Sequence, residues 1–253
     1  MDNDTINTAL LAAREWLLDA NDPVPRHLAV RDLYQTDFSE EERWRARELA
    51  HNSEPIARVL AHMNPEGWWV KPGPGYGPKY KSTVWSLTLL GQLGASVQAD
   101  ERVNTACQYL LSQAYAQGGF FSYSGRPAGT FDCLQGNLCW ALSDLGYDDP
   151  RIDAAYEWMA RSVTGEGVAP IDTPSAAVRF QRYKLGPFFQ CAINAGLSCG
   201  WGGVKVMQAF AALAPQRRTP IVQRAIAAGA DFMLDNDPAG IGYPAGNGIT
   251  SPW

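Results

Sequence analysis

Apolar residues recur at helical spacing through the first part of the chain. A first helix is predicted by Leu10, Leu11, Trp16, Leu17 and Leu18, and Asn21-Asp22-Pro23 ends it. A second helix is predicted near residues 25–34. Ser39 and Glu42 form a capping-box pattern that opens a third helix through about Ala50, and Ser53-Glu54-Pro55 opens a fourth. We therefore expect residues 1–65 to form an N-terminal helical segment.

From Gly67 onward the hydrophobic pattern repeats. The first unit has an apolar run from Ser82 to Leu90, the bend Leu93-Gly94, the element Asp100-Glu101-Arg102-Val103 and the turn Gly118-Gly119-Phe120-Phe121. The second unit repeats these elements at Cys133–Leu142, Leu145-Gly146, Asp149-Pro150-Arg151-Ile152 and Gly165-Glu166-Gly167, and its bend lies 52 residues after the first. A third, looser copy runs from Cys199 through Phe232-Met233-Leu234 to Gly240-Ile241-Gly242-Tyr243. Repeats of this length are typical of stacked supersecondary units.

Each unit is predicted to be a helical hairpin. The glycine at the bend suits a left-handed helix end, and the aspartate before the second helix suits an N-cap. The first helix of each pair is apolar on most faces and should be the more buried one, whereas the second carries charges on one side. A single hairpin cannot bury its apolar face, so neighbouring hairpins must stack.

These motifs resemble the α/α-toroid superfamily of terpenoid (squalene-type) cyclases and protein prenyltransferase β subunits. The resemblance covers about residues 55–243 and rests on the Gly-aromatic turns, the Leu-Gly bends and the Asp-x-Arg helix starts. It implies an all-α fold in which residues 66–253 form α/α-toroid repeats, with first helices ringing a central cavity. A ring of about six hairpins needs more chain, so the alternatives are an open ring, a ring closed by a partner, or a fragment. An open edge would favour a homo-oligomer.

The resemblance also implies an apolar ligand, an isoprenoid in that superfamily, in an aromatic cavity. The lining predicted here is Trp68, Trp69, Tyr80, Trp85, Phe120, Phe121, Trp140 and Trp201. Aromatic faces of this kind stabilise cations. The Asp-x-Asp-Asp acid motif of squalene-type cyclases is absent from the sequence, which argues against protonation-initiated cyclisation.

A zinc site is a further expectation from the resemblance, because prenyltransferase β subunits bind zinc with Asp, Cys and His. Here Asp132 and Cys133 stand at a helix start, and Cys191 and Cys199 follow where a histidine would be expected. Three thiolates with one carboxylate or water would complete a tetrahedron. The other interpretation is that these cysteines are small buried apolar residues, which we expect of Cys107 and Cys139. A lanthionine-cyclase-like zinc toroid is an alternative that the missing downstream histidine disfavours.

Two further segments each have two interpretations. The loop 71–81 carries Lys71, Lys79 and Lys81 and is either an anion-binding loop or a solvated turn. Residues 168–196 interrupt the repeat with basic and aromatic residues, as either a binding lid or irregular padding. If all the aromatics served only as core, the protein would be a non-catalytic helical-repeat scaffold for another protein.

Composition narrows the class of protein. The 253 residues carry a net charge of −5, which argues against a nucleic-acid partner. Hydrophobic residues make up 46%, enough for a packed core, yet no run is long enough for a membrane span. The acidic N-terminus lacks the basic start of a signal peptide, so we expect a cytoplasmic protein.

Overall fold

The protein is mostly helical, as the sequence predicts. The computed structural model describes residues 3–235, 243–245 and 249–251. The predicted turn Gly240-Ile241-Gly242 and most of the chain end lie outside them. The N-terminal segment contains α1 (Asn3–Leu18), α2 (Pro23–Leu28), a π-helical turn (Ala29–Leu33), a 3₁₀ turn (Gln35–Asp37), α3 (Glu40–His51) and α4 (Glu54–Ala61). The capping box of Ser39 and Glu42 is confirmed at the start of α3.

Three helical hairpins follow, as the repeat predicts. They are α5 (Thr83–Leu93) with α6 (Glu101–Ala114), α7 (Asp132–Asp144) with α8 (Pro150–Thr164), and α9 (Gly200–Ala212) with α10 (Pro220–Leu234). Gly94 and Gly146 adopt left-handed backbone angles at the bends. Asp100 and Asp149 cap the second helices by accepting hydrogen bonds from the backbone amides of Arg102 and Arg151. The bends and caps predicted for the first two hairpins are thus confirmed, whereas Thr219 begins α10 without a side-chain capping hydrogen bond.

Small strands complete the described structure. The Gly-Gly-Phe-Phe turn forms an antiparallel hairpin of β1 (Tyr115–Ala116) and β2 (Phe120–Phe121), in which Tyr115 pairs with Phe121. A second pair consists of β3 (Tyr243–Ala245) and β4 (Ile249–Ser251). Within the described ranges no helix combines the length and the apolar character needed to span a bilayer.

The first helices of the three hairpins pack side by side, with α7 between α5 and α9. Helix α7 is buried along nearly its whole length, as the sequence predicts, and α8 packs against α10. The backbones of α7 and α9 approach most closely at Gly136, where a Cβ atom would overlap the backbone of Lys205 and Val206. Only glycine permits this approach.

Arginines of the N-terminal segment hold the other end of the hairpins. Nη2 of Arg47 donates hydrogen bonds to the carbonyl oxygens of Ala95 and Asp144. Nη1 of Arg31 lies 3.4 Å from Oδ2 of Asp144. Cations are favourable at the carbonyl end of a helix, so these side chains attach the segment to the ends of α5 and α7.

We predict that Gly136→Ala destabilises the protein by about 1–3 kcal/mol, because the added methyl group forces α7 and α9 apart. Gly91→Ala in α5 is the matched control, since a Cβ there meets Trp140 at 3.5 Å, an ordinary contact. That control should be neutral or stabilising by up to about 1 kcal/mol. Urea denaturation measures both. Equal stabilities of the two variants would contradict the close helix approach.

Candidate functional site

A cavity of about 260 Å³ lies where the N-terminal ends of α5, α7 and α9 meet. The preceding loops and the segment between α8 and α9 complete its wall. Its lining consists of Tyr76, Lys79, Tyr80, Trp85, Phe131, Cys133, Leu134, Asn137, Cys191, Ile193, Asn194, Cys199 and Trp201. We call it the thiol cavity because three of the five cysteines of the chain line it.

The aromatic wall of the thiol cavity is held in place by its own contacts. Nε1 of Trp85 donates a hydrogen bond of 2.8 Å to the carbonyl oxygen of Tyr76. The Tyr76 ring lies edge-on to Phe131 at 5.4 Å, and the Tyr80 ring lies 4.9 Å from Trp85. Edge and tilted ring contacts of this kind stabilise aromatic clusters. The loop before α5 is therefore ordered against the first turn of that helix.

Asn137 places a polar side chain in the wall of the thiol cavity. Its side chain lies on α7 one turn after Cys133, and the residue is only 7% exposed. Because Asn137 lines the cavity, its carboxamide can donate or accept a hydrogen bond there. The N-terminal ends of three helices, which carry partial positive charge, meet at the same cavity. The site thus offers hydrogen-bond donors and a positive potential beside an aromatic wall.

Burial favours the protonated form of the three thiols of the cavity. Burial raises the pKa of Cys133 to about 12 and also raises the pKa values of Cys191 and Cys199. The backbone amide of Gly202 donates to the sulfur of Cys199 at 3.4 Å, which partly opposes the rise in the pKa of that thiol. Cys107 and Cys139 are fully buried in the core, as expected.

A buried ion pair lies behind the thiols. Nζ of Lys184 donates a hydrogen bond of 2.8 Å to Oδ2 of Asp132, and the two side chains are 0% and 3% exposed. Burial raises the pKa of Asp132 and lowers the pKa of Lys184, and the attraction between the two charges opposes both shifts. The pair links the first turn of α7 to the segment that precedes α9.

That segment, residues 165–199, has little regular structure. Short antiparallel bridges join Lys184 to Cys191 and Gln190 to Ser198, and a 3₁₀ turn spans Ala192–Asn194. It supplies Cys191, Ile193 and Asn194 to the cavity. Residues 168–196 were interpreted either as a binding lid or as irregular padding. Their position in the cavity wall is compatible with a role in binding.

Three of the four predicted metal ligands line the same cavity, and the fourth does not. Cys133, Cys191 and Cys199 line one cavity, whereas Asp132 is held by Lys184. Across the described ranges no group of three or more His, Cys, Asp or Glu side chains is arranged to hold a metal ion. One carboxylate oxygen of Asp132 is engaged by Lys184, and a zinc bound by the thiols and Asp132 stays a prediction.

The eight predicted lining aromatics are distributed over several places. Tyr80, Trp85 and Trp201 line the thiol cavity. Phe121 is fully buried and Phe120 packs against Trp158 at 4.6 Å, because successive strand residues point to opposite faces. Neither phenylalanine lines that cavity.

The remaining three lie elsewhere. Trp140 lines a separate cavity of about 560 Å³ near Arg31 and Asp144. Nε1 of Trp69 donates a hydrogen bond of 2.9 Å to the carbonyl oxygen of Val59. Nε1 of Trp68 donates a hydrogen bond of 3.1 Å to the carboxylate of Glu66. These positions do not line the thiol cavity.

The sequence interpretation missed Tyr76, Phe131, Asn137 and Lys184. Asn137 could have been found as one of two polar residues, with Gln135, in the largely apolar middle of α7. Lys184 stands among aromatic residues in the interruption, but a lysine there gives no sign that it is buried.

We predict that Lys184→Met destabilises the protein by about 3–5 kcal/mol, because it leaves the Asp132 carboxylate buried without its partner. Adding Asp132→Asn removes that charge and should restore part of the loss. Urea denaturation of both single variants and the double variant measures the coupling. A cost below about 1 kcal/mol for Lys184→Met would show that the pair does not hold the two segments together.

No family model, curated protein or solved structure matches this chain. The likeness to terpenoid cyclases and prenyltransferase β subunits therefore remains a resemblance of sequence motifs. What the protein binds has to be inferred from the geometry of its cavities.

Proposed function

We propose that the protein binds a small apolar molecule of the isoprenoid type, with an electron-rich polar end, in the thiol cavity. The observation that carries this proposal is the position of Asn137, a buried polar residue that lines an aromatic-walled cavity at three helix N-terminal ends. The motif resemblance supports the same ligand class. In this proposal α5, α7 and α9 are the inner helices of an α/α-toroid arrangement, and α6, α8 and α10 are the outer ones.

The volume of the cavity favours a short ligand. Ligand pockets in proteins commonly enclose about 300–1,000 Å³, and the thiol cavity, at about 260 Å³, falls just below that range. A ligand of one or two isoprene units suits this space better than a long chain. The apolar part would lie against Trp85, Phe131 and Leu134, and the polar end would face Asn137.

The charges around the cavity favour an anionic polar end over a cation. Nζ of Lys79 lies 5.8 Å from the Tyr76 ring centre, and Nζ of Lys205 lies 5.3 Å from that of Trp201. Two aromatic rings of the cavity, one of them the predicted lining residue Trp201, therefore already face lysines. A diphosphate or carboxylate would be attracted by Lys79 and by the helix N-terminal ends.

We predict that geranyl diphosphate raises the melting temperature and that inorganic diphosphate alone has a smaller effect. Asn137→Leu and Trp201→Leu should each weaken binding about tenfold or more, which is about 1.4 kcal/mol. Trp16→Leu is the matched control, because Trp16 is 73% exposed on α1 and does not line the cavity. Titration calorimetry gives the affinities.

Absence of binding by isoprenoid diphosphates of any length would overturn the proposal and favour the scaffold alternative. Equal loss of affinity in Trp16→Leu would show that binding does not occur in the thiol cavity.

A thiol-bound zinc is tested separately. We predict one equivalent of zinc in purified protein, lost in Cys133→Ser and retained in Cys107→Ser, whose side chain is buried away from the cavity. Because the thiols are protonated at neutral pH, zinc binding would release protons and strengthen as the pH rises. Folded protein without metal, after refolding with zinc, would remove the metal from the proposal.

A further inference from the structure

A second cavity, of about 530 Å³, lies on the other side of Tyr80 and Trp85. It is formed by α4, the loop before α5 and the outer side of α5. Its lining consists of Arg58, Val59, His62, Trp69, Val70, Tyr80, Lys81, Trp85, Ser86 and Leu89. We call it the basic-rimmed cavity. Its volume lies within the usual range for small-molecule sites.

The floor of this cavity is apolar and open to solvent. Val70, Tyr80 and Leu89 are 58%, 79% and 41% exposed, although each is a large apolar or aromatic side chain. They adjoin the ring of Trp69, which is buried. Exposed apolar side chains grouped in a concave site commonly mark a binding surface.

The backbone of the loop presents two of these side chains at a conformational cost. Val70 and Tyr80 have φ angles of 69° and 66°, in the left-handed region that residues other than glycine rarely adopt. A branched side chain such as valine is especially rare there. Strained residues of this kind cluster at ligand-binding sites, so both observations point to the same cavity.

The rim of this cavity carries two cations, Arg58 and Lys81. Arg58, His62 and Lys81 line the cavity, and no Asp or Glu does so within the described part of the chain. Arg58 pairs with Glu54 on the exposed face of α4, a pairing that contributes little in water. Lys81 forms no ion pair with any described residue. Lys81 and Arg58 are therefore the cations that a ligand can reach.

We propose that the basic-rimmed cavity binds a free amphipathic anion, an apolar chain that ends in one anionic group. The chain would pack on Trp69, Val70 and Leu89, and the anionic group would meet Lys81 and Arg58. This site shares Tyr80 and Trp85 with the thiol cavity but has its own cations and its own apolar floor, so variants of Asn137 and of Lys81 test the two proposals separately.

Octanoate is the probe for this site, and octanol, which lacks the charge, is its matched ligand control. Titration calorimetry should give octanoate a Kd at least tenfold lower than that of octanol. Lys81→Gln and Arg58→Gln should each weaken octanoate binding about three- to tenfold and leave octanol binding unchanged. Lys71→Gln is the matched control variant, since Lys71 is an exposed lysine of the same loop outside the lining.

Leu89→Gln should weaken both probes, because it removes part of the apolar floor, and Asn137→Leu in the thiol cavity should weaken neither. Equal affinities for octanoate and octanol would overturn the proposal, as would an equal effect of Lys71→Gln. Binding to anionic lipid vesicles without binding to free octanoate would replace it with attachment to a membrane surface.

Discussion

The buried ion pair between Lys184 and Asp132 determines where the long segment before α9 lies. Two charges removed from water are tolerated only when they face each other with good geometry, so Lys184 has to reach the first turn of α7. The neighbouring bridges between Lys184 and Cys191 and between Gln190 and Ser198 then fix the rest of the segment. In this way one polar contact brings Cys191 and Asn194 to the same cavity as Cys133, although nearly 60 residues separate the two cysteines.

Two further residues of α7, Gly136 and Gln135, determine how the helix packs against its neighbours. Gly136 lets the backbone of α9 approach, and Gln135 forms hydrogen bonds with both the amide and the carbonyl group of Phe121. A larger residue at position 136 would separate the helices, and an apolar residue at position 135 would leave the strand backbone of β2 unpaired inside the core. Helix α7 is thereby held by α9, by the small β-hairpin and by Lys184. The residues of α7 that line the thiol cavity are therefore held in place as well.

Local signals in the sequence were sufficient for the helices. The capping residues Ser39, Asp100 and Asp149 and the glycines at the bends act through neighbours within a few positions, so the pattern alone predicts them. The site depends on contacts between distant segments, and there the pattern fails. Phe120 and Phe121 look like two members of one aromatic lining, yet strand geometry directs them to opposite sides. The partner of Lys184 lies 52 positions away, and hydrophobic periodicity carries no information on such a pairing.

The predicted lining aromatics do not surround a single cavity. Some are packed in the core, and others form the wall between two cavities. Tyr80 and Trp85 stand between the thiol cavity and the basic-rimmed cavity and contribute to both linings. Trp85 donates a hydrogen bond to the carbonyl oxygen of Tyr76, whereas Tyr80 is mostly exposed and its ring makes a tilted contact with that of Trp85. A ligand that displaced the Tyr80 ring from either side would change the wall of the other cavity, because this ring lines both. Movement of Tyr80 is therefore the route by which binding in one cavity would alter binding in the other, since coupling between two sites requires a contact that both ligands change.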